Sequence, residues 1–325
     1  MTYLKVNFAS LKRKASGSFF RIDKILFACL ATTLIFALPP AAEAIELKSP
    51  SIEIWGDHIF SANVDESSPT GKLSVTSTSG RASIPLQLTD KLNLSFELSG
   101  SRIFFDWDNT EDIAFSNGLK PWDDFTSARL RLKLNYQWNP QWISFGNAYT
   151  SAAWEEEIDD SYSYGASIGT IFMGPYNLTW TLGVGSGQGP ENGYWGVFGG
   201  IGWNQHKKEE GQPGIFASLN WPLKAEIGAV INEKWLVRGN LWSTGRIYRL
   251  ANDNAVSPSG LVVRSVEATG IFLEYKPIKK FSITLGGSYV FRHQYEIQNE
   301  NGNKIQSLVN IDAALGATLN FKFKF

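Results

Sequence analysis

The stretch IDAALGATLNFKFKF, residues 311–325, decides the fold class. From Leu315 onward every second residue is apolar: Leu315, Ala317, Leu319, Phe321, Phe323 and Phe325. Between them stand Gly316, Thr318, Asn320, Lys322 and Lys324. Successive side chains on a strand point to opposite faces, so one face of this segment is greasy and the other polar. A soluble protein rarely exposes three phenylalanines in a row on one strand face. The segment therefore reads as a wall with lipid on one side and water on the other.

The same two-residue period recurs upstream. Residues 92–104 set Leu92, Leu94, Phe96 and Leu98 against Asn93, Ser95, Glu97 and Ser99. Residues 128–138 set Leu130, Leu132, Leu134 and Tyr136 against Arg129, Arg131, Lys133 and Asn135, and residues 281–297 continue the pattern. Alternation over this length is a strand signal, not a helix signal. Connections sort into short ones (89–91, 139–141, 174–177, 232–234, 277–280) and longer polar ones (106–123, 155–161, 188–193, 251–260, 299–304). Several strands open on an aromatic directly after a turn, as at Trp142, Trp235 and Phe281.

This combination resembles the Gram-negative outer-membrane β-barrels. Phe321, Phe323 and Phe325 match the terminal signal that the barrel-assembly machinery reads in those proteins. In its turn-then-tryptophan strand starts the chain also resembles a family catalogued only as a domain of unknown function. The resemblance implies an all-β fold: a single antiparallel up-and-down transmembrane barrel with short periplasmic turns and longer outer loops. Both ends of the barrel then lie in the periplasm and the strand number is even. Eleven strands are placed directly, with 216–231 read as one of them. Residues 177–214 must supply one more or three more, so 12 strands are favoured and 14 is the alternative.

The N-terminus gives an independent reason for export. Six basic residues up to Lys24 precede the apolar run 25–38 and then Ala42-Glu43-Ala44. This is the order of a secretory signal peptide, with Ala42 and Ala44 marking cleavage. Residues 1–44 are the expected leader and 45–325 a single barrel domain. Cleavage removes Cys29, the only cysteine, and with it disulfide and thiolate-metal chemistry. It also removes six of the 30 basic and two of the 31 acidic residues, leaving 24 and 29, a net charge of −5. That balance speaks against nucleic acid as a partner. The expected surroundings are outer-membrane lipid and lipopolysaccharide, and no cofactor is implied.

Candidate chemistry is sparse. Of the three histidines, His206 starts a polar run, His58 lacks a neighbouring nucleophile, and His293 shares parity with the lipid-facing residues. No triad or lipid-hydrolase signature is assembled, so an enzyme is not expected. The acidic run at 155–160 and the Asp106/Asp108 pair read as solvated loop residues. Gly183, Gly185 and Gly187 read as strand glycines, not a nucleotide loop. Basic residues on the polar faces are more informative. Arg129, Arg131, Lys133, Arg238 and Arg246, with Glu97, are expected to line the lumen, either biasing a pore toward anions or pairing to fill it. The leading expectation is a porin-like channel for passive passage of small solutes. The alternatives are a filled barrel of structural or loop-displaying role and, behind it, a lipid-modifying enzyme. A periplasmic β-sandwich is the soluble alternative.

Overall fold

The computed structural model describes residues 46–64, 70–116, 118–205, 212–305 and 308–325. The expected leader with Ala42 and Ala44, as well as His206, lies outside them. Sixteen strands form one antiparallel sheet: β1 (Glu46–Leu47), β2 (Ser51–Asn63), β3 (Lys72–Gln87), β4 (Leu92–Asp108), β5 (Asp124–Gln137), β6 (Trp142–Trp154), β7 (Tyr162–Met173) and β8 (Leu178–Gln188), then β9 (Gly193–Asn204), β10 (Gly214–Trp221), β11 (Lys224–Val230), β12 (Trp235–Arg249), β13 (Leu261–Ile278), β14 (Phe281–Gln298), β15 (Val309–Ile311) and β16 (Ala314–Lys324). Neighbours in sequence are neighbours in space, and β16 closes the sheet on β2 from Gly316↔Ile59 to Lys324↔Ser51. The closed wall has 14 strands. β1 and β15 are short additions, pairing β3 and β14.

The favoured count of 12 is thereby corrected. Residues 177–214 supply two strands, β8 and β9, which are hairpin partners from Leu178↔Trp203 to Gln188↔Gly193. The remaining strand comes from 216–231, which divides at Pro222 into β10 and β11. Proline has no N–H to give a ladder and disfavours a continuing strand. The apolar residues on either side of it hide the break, because they keep the period-two pattern running.

The register sorts side chains as the alternation predicts. Ile52, Ile54, Phe96, Leu98, Leu130, Leu182, Ile227, Ile271, Leu285, Leu315 and Leu319 are exposed large apolar residues on the outer face. Such an apolar band is what hydrocarbon requires of a barrel exterior. Closure leaves no free edge where the strands are all present. Aromatic pairs stack along the periplasmic ends: Trp142 with Phe172 (4.8 Å), Trp235 with Tyr275 (4.4 Å) and Phe281 with Phe323 (4.6 Å). This girdle explains the aromatic residues found directly after turns.

One parity expectation fails for a local reason. β13 and β14 lose register between Glu267 and Ala268, where Ala268 faces Val290 but Glu267 faces Arg292. The extra residue, Phe291, is a β-bulge, and it turns the rest of β14 over. Beyond it Arg292 and Glu267 pair outside the wall at 2.9 Å, while His293, Tyr295 and Ile297 point inward and are buried. His293 therefore belongs to the lumen face and not to the lipid face.

Candidate channel lumen

The lumen has three levels, set by what each strand places on its inward face. At the periplasmic end lies a vestibule of about 830 Å³. Lys234, Arg238, Lys276, Lys279, Lys280, Lys322 and Lys324 line it against Glu53, Glu233 and Glu274. Arg238 reaches Glu274 at 4.0 Å and Lys276 reaches it at 3.4 Å. The surplus of positive charge is left facing water.

Above it a second cavity of about 500 Å³ holds Arg81, Arg129, Arg131, Arg246 and Arg264 with Glu97 as its only carboxylate. Strand pairing builds this belt: Arg81 sits opposite Ser99, Ser83 opposite Glu97, Glu97 opposite Arg131, and Ser99 opposite Arg129. Glu97 is shared between Arg81 (3.8 Å) and Arg131 (3.5 Å), and Arg81 also faces Glu53 at 3.9 Å. Arg246 donates to the Ser127 hydroxyl, and the Ser101 and Ser127 hydroxyls lie 2.7 Å apart. Arg129 has no carboxylate partner. Its guanidinium lies 5.1 Å from the Tyr149 ring centroid, and its Nε is buried with no hydrogen-bond acceptor among the described residues. Five guanidinium groups against Glu97, with Glu53 at the edge beside Arg81, leave this level of the lumen positive.

All six expected lumen residues lie on the inward face: Arg129, Arg131, Lys133 and Glu97 on β4 and β5, and Arg238 and Arg246 on β12. Arg131 and Glu97 meet, whereas Arg129, Lys133 and Arg246 make no ion pair within 4 Å among the described residues. Glu267 and Glu296 face outward beyond the bulge, where Glu267 holds Arg292 and Glu296 holds Lys304. Arg81 and Arg264 escaped the sequence reading. Arg264 is flanked on its own face by Val262 and Val266, so no polar alternation marks it.

The third level, toward the outer end, is apolar. Leu73, Val75, Ile103, Phe105, Phe125, Tyr248, Val262, Tyr295 and Ile297 point inward and meet Trp122, Ile113 and Leu250 from the outer loops. Phe125 stacks on Tyr248 at 4.4 Å, and the Trp107 indole donates to the Trp122 carbonyl at 2.9 Å. This cluster fills one side of the mouth. The alternation does not announce it, because β13 is apolar on both faces at Leu261-Val262-Val263 and on β14 it is the bulge that carries Tyr295 and Ile297 to the inward face.

The loops above the cluster are clasped together. Glu155 accepts bonds from the Ala251 N–H (2.8 Å) and from Asn254 Nδ2 (3.0 Å), which also donates to the Pro121 carbonyl (2.8 Å). Burial pushes the Glu155 carboxyl up to about 7, against the pull of those two donors, with Glu156 and Asp123 adding repulsion. The acidic run is thus not simply a solvated loop tip. No described group of three or more His, Cys, Asp or Glu side chains is arranged to hold a metal ion.

On the opposite side β7, β8 and β9 face the lumen with glycines. Phe145 lies over Gly169, Phe198 over Gly183, Tyr149 over Gly165 and Tyr194 over Gly187, each so close that a Cβ on the glycine would come within 3.0 Å of the ring. These aromatics lie flat against the wall, each in the space that a side chain on the facing glycine would take.

The described histidines do not form a hydrolytic group. His58 points outward and shares a 2.9 Å contact with the Thr76 hydroxyl, and His293 Nε2 accepts a bond from Arg264 Nε at 3.1 Å. Neither is hydrogen-bonded to a carboxylate among the described residues.

A closed barrel with an apolar outer band and a charged lumen is an integral β-barrel of the bacterial outer membrane. No helix among the described residues is long and apolar enough to span a bilayer. Comparison with known proteins stops at this class. No protein-family model matches the chain and no curated protein resembles it in sequence, so the finer likeness to a family of unknown function has no match behind it. Among solved structures it is similar to an outer-membrane channel from Pseudomonas putida F1, with 10% identity over 88% of this chain and 99% of that one and a TM-score of 0.44. It is also similar to a FadL homologue of Pseudomonas aeruginosa, with 9% identity over 86% and 90% and a TM-score of 0.47. OprB of Pseudomonas putida gives 7% identity over 92% and 97% and a TM-score of 0.42. At these identities and scores the likeness says nothing of solute or selectivity.

Proposed function

We propose that the protein is a porin-like outer-membrane channel that favours small anionic solutes. The observation that carries this reading is the belt of Arg81, Arg129, Arg131, Arg246 and Arg264 around Glu97, with Glu53 at its edge beside Arg81. Charge lining a narrow aqueous path sets the electrostatic barrier, and a positive belt lowers it for anions. The basic vestibule below extends the same field toward the periplasm. The path continues beside the apolar cluster, along the glycine-rich wall of β7–β9. Planar-bilayer recording in a potassium chloride gradient tests this. The expected reversal potential is on the anion-selective side, and Arg129→Gln with Arg246→Gln moves it toward zero. No current in either gradient direction sinks the reading.

A second reading is favoured by the aromatic cluster in the outer mouth: a closed barrel that displays its loops. On that reading the native protein is silent in the bilayer and Trp122→Ala opens a current it lacks.

A further inference from the structure

The wall of the barrel is incomplete in its outer half. β10 and β11 run for only eight and seven residues, short of the roughly 9–11 that a strand needs to cross hydrocarbon. β9 pairs with β10 only from Gly199 to Asn204, so residues 193–198 are bonded to β8 alone. β12 pairs with β11 only as far as Trp242, with one further bond from the Ser243 N–H to the Leu223 carbonyl. Backbone groups of alternate residues face the same side of a strand, so Gly245 and Ile247 point theirs where β11 would continue. They meet no strand there among the described residues. Higher still, Arg249 turns to Trp154 at the tip of β6, across the lumen. The tip of β12 thus leans away from β9 and leaves a window between residues 193–198 and 244–248. Exposure agrees: Tyr194, on the inner face of β9, is 52% exposed.

The hairpin below the window places it in the membrane. Its tip is Trp221-Pro222-Leu223, with Trp221 68% exposed, and it carries no charged residue, whereas each of the longer outer loops does. An apolar tip belongs in hydrocarbon, so the wall ends inside the outer leaflet. From above the window is roofed, since the Glu191 side chain lies against Gly302 of the β14–β15 loop. A continuous surface leads inward from the window. Tyr194 touches the Tyr149 hydroxyl, and Tyr149 carries the Arg129 guanidinium on its ring.

We propose that the lumen opens sideways through this window into the outer leaflet, and that the solute it exchanges there is an amphipathic anion. The anionic head is held by Arg129 and Arg246, and the apolar body passes between β9 and β12. The inference rests on the channel reading above and names its route and solute class. Unpaired backbone groups are strongly disfavoured against hydrocarbon, so the window must hold water or the polar part of a guest. An inorganic anion fits the arginines but gains nothing from a path that ends in lipid. A neutral hydrocarbon fits the window but leaves the arginines unused.

Single-cysteine variants in a Cys29→Ser background test the window. Gly196 is suitable because a Cβ there has no atom within 4 Å. Bimane is attached to Gly196→Cys (inner face, at the window), Val197→Cys (outer face) or Ser99→Cys (inner face of a fully paired strand). Each is reconstituted into vesicles whose phospholipid carries a nitroxide on its acyl chain. Position 196 is expected to be quenched like 197, and position 99 to be spared. Quenching at 196 no greater than at 99 overturns the window. Uptake of 1-octanesulfonate, whose head stays ionised, tests the solute class. Val197→Trp with Ile247→Trp, both on the outer face of the strands that flank the window, narrows it from the lipid side and is expected to lower that uptake roughly tenfold while sparing chloride conductance. Unchanged octanesulfonate uptake, or an equal loss for chloride, overturns the amphipathic route. Failure of the channel reading shows separately as a silent native protein, which the quenching does not require to conduct.

Discussion

Glu155 shows how a single residue departs from its surface-loop reading. Its carboxyl titrates at about 7 in the closed clasp, above its ordinary value of 4.5, mainly because it is buried. A carboxyl raised in this way closes most firmly when protonated. The stabilisation is fully present below about pH 4.5 and is lost as pH rises toward 7. After discounting for the solvent that still reaches the loop, the effect is on the order of 1–2 kcal/mol. The thermal midpoint is therefore expected to fall between pH 5 and pH 8 in the native protein and to stay level across that range in Glu155→Gln. A midpoint equally sensitive in both proteins would show that another group is responsible. His293 carries a related lesson. Its inward position depends on the bulge at Phe291, and nothing in the local sequence distinguishes that bulge from continued alternation.

Among the elements, β7–β9 owe their shape to glycines under aromatic rings. At Gly169 a methyl group would come 2.4 Å from the Leu182 carbonyl oxygen and 2.4 Å from Phe145, whereas at Gly196 it meets nothing within 4 Å. Gly169→Ala should therefore cost about 1–3 kcal/mol, as overpacking does, and Gly196→Ala should stay within roughly 0.5 kcal/mol of the native protein. Heat-modifiability on gels compares the two directly, and an equal loss would mean that the rings move aside freely. The broken element, 216–231, is the place where element-level reading failed. Pro222 marks the break, yet the apolar residues at every second position from Ile215 to Ile231 continue through its two-residue turn, so the pattern does not separate β10 from β11.

For the whole molecule the lipid face and the lumen face must respond differently to the same charge. Leu285→Arg on the outer face should cost about 2–4 kcal/mol if it lies near the bilayer midplane. Ser99→Arg adds a charge to a water-filled space and should be tolerated far better. Folding yields into phospholipid vesicles measure both, and equal losses would overturn the assignment of faces. The period-two pattern, the aromatic strand starts and the sorting of turn lengths made the all-β barrel legible, though not its strand number. They do so because each wall strand separately meets lipid on one side and water on the other, and a single strand's residues record that.

What required tertiary structure is everything that depends on how distant strands meet. The sharing of Glu97 between Arg81 and Arg131, the aromatic cluster that fills one side of the mouth, and the Glu155 clasp each join residues from strands or loops far apart in sequence. The window between β9 and β12 depends on the absence of pairing, which no local pattern encodes. The sequence by itself determined that this chain is a two-faced wall. Only the closed barrel decided where that wall is charged, where it is filled and where it stops short, because those are properties of the lumen that the strands enclose together.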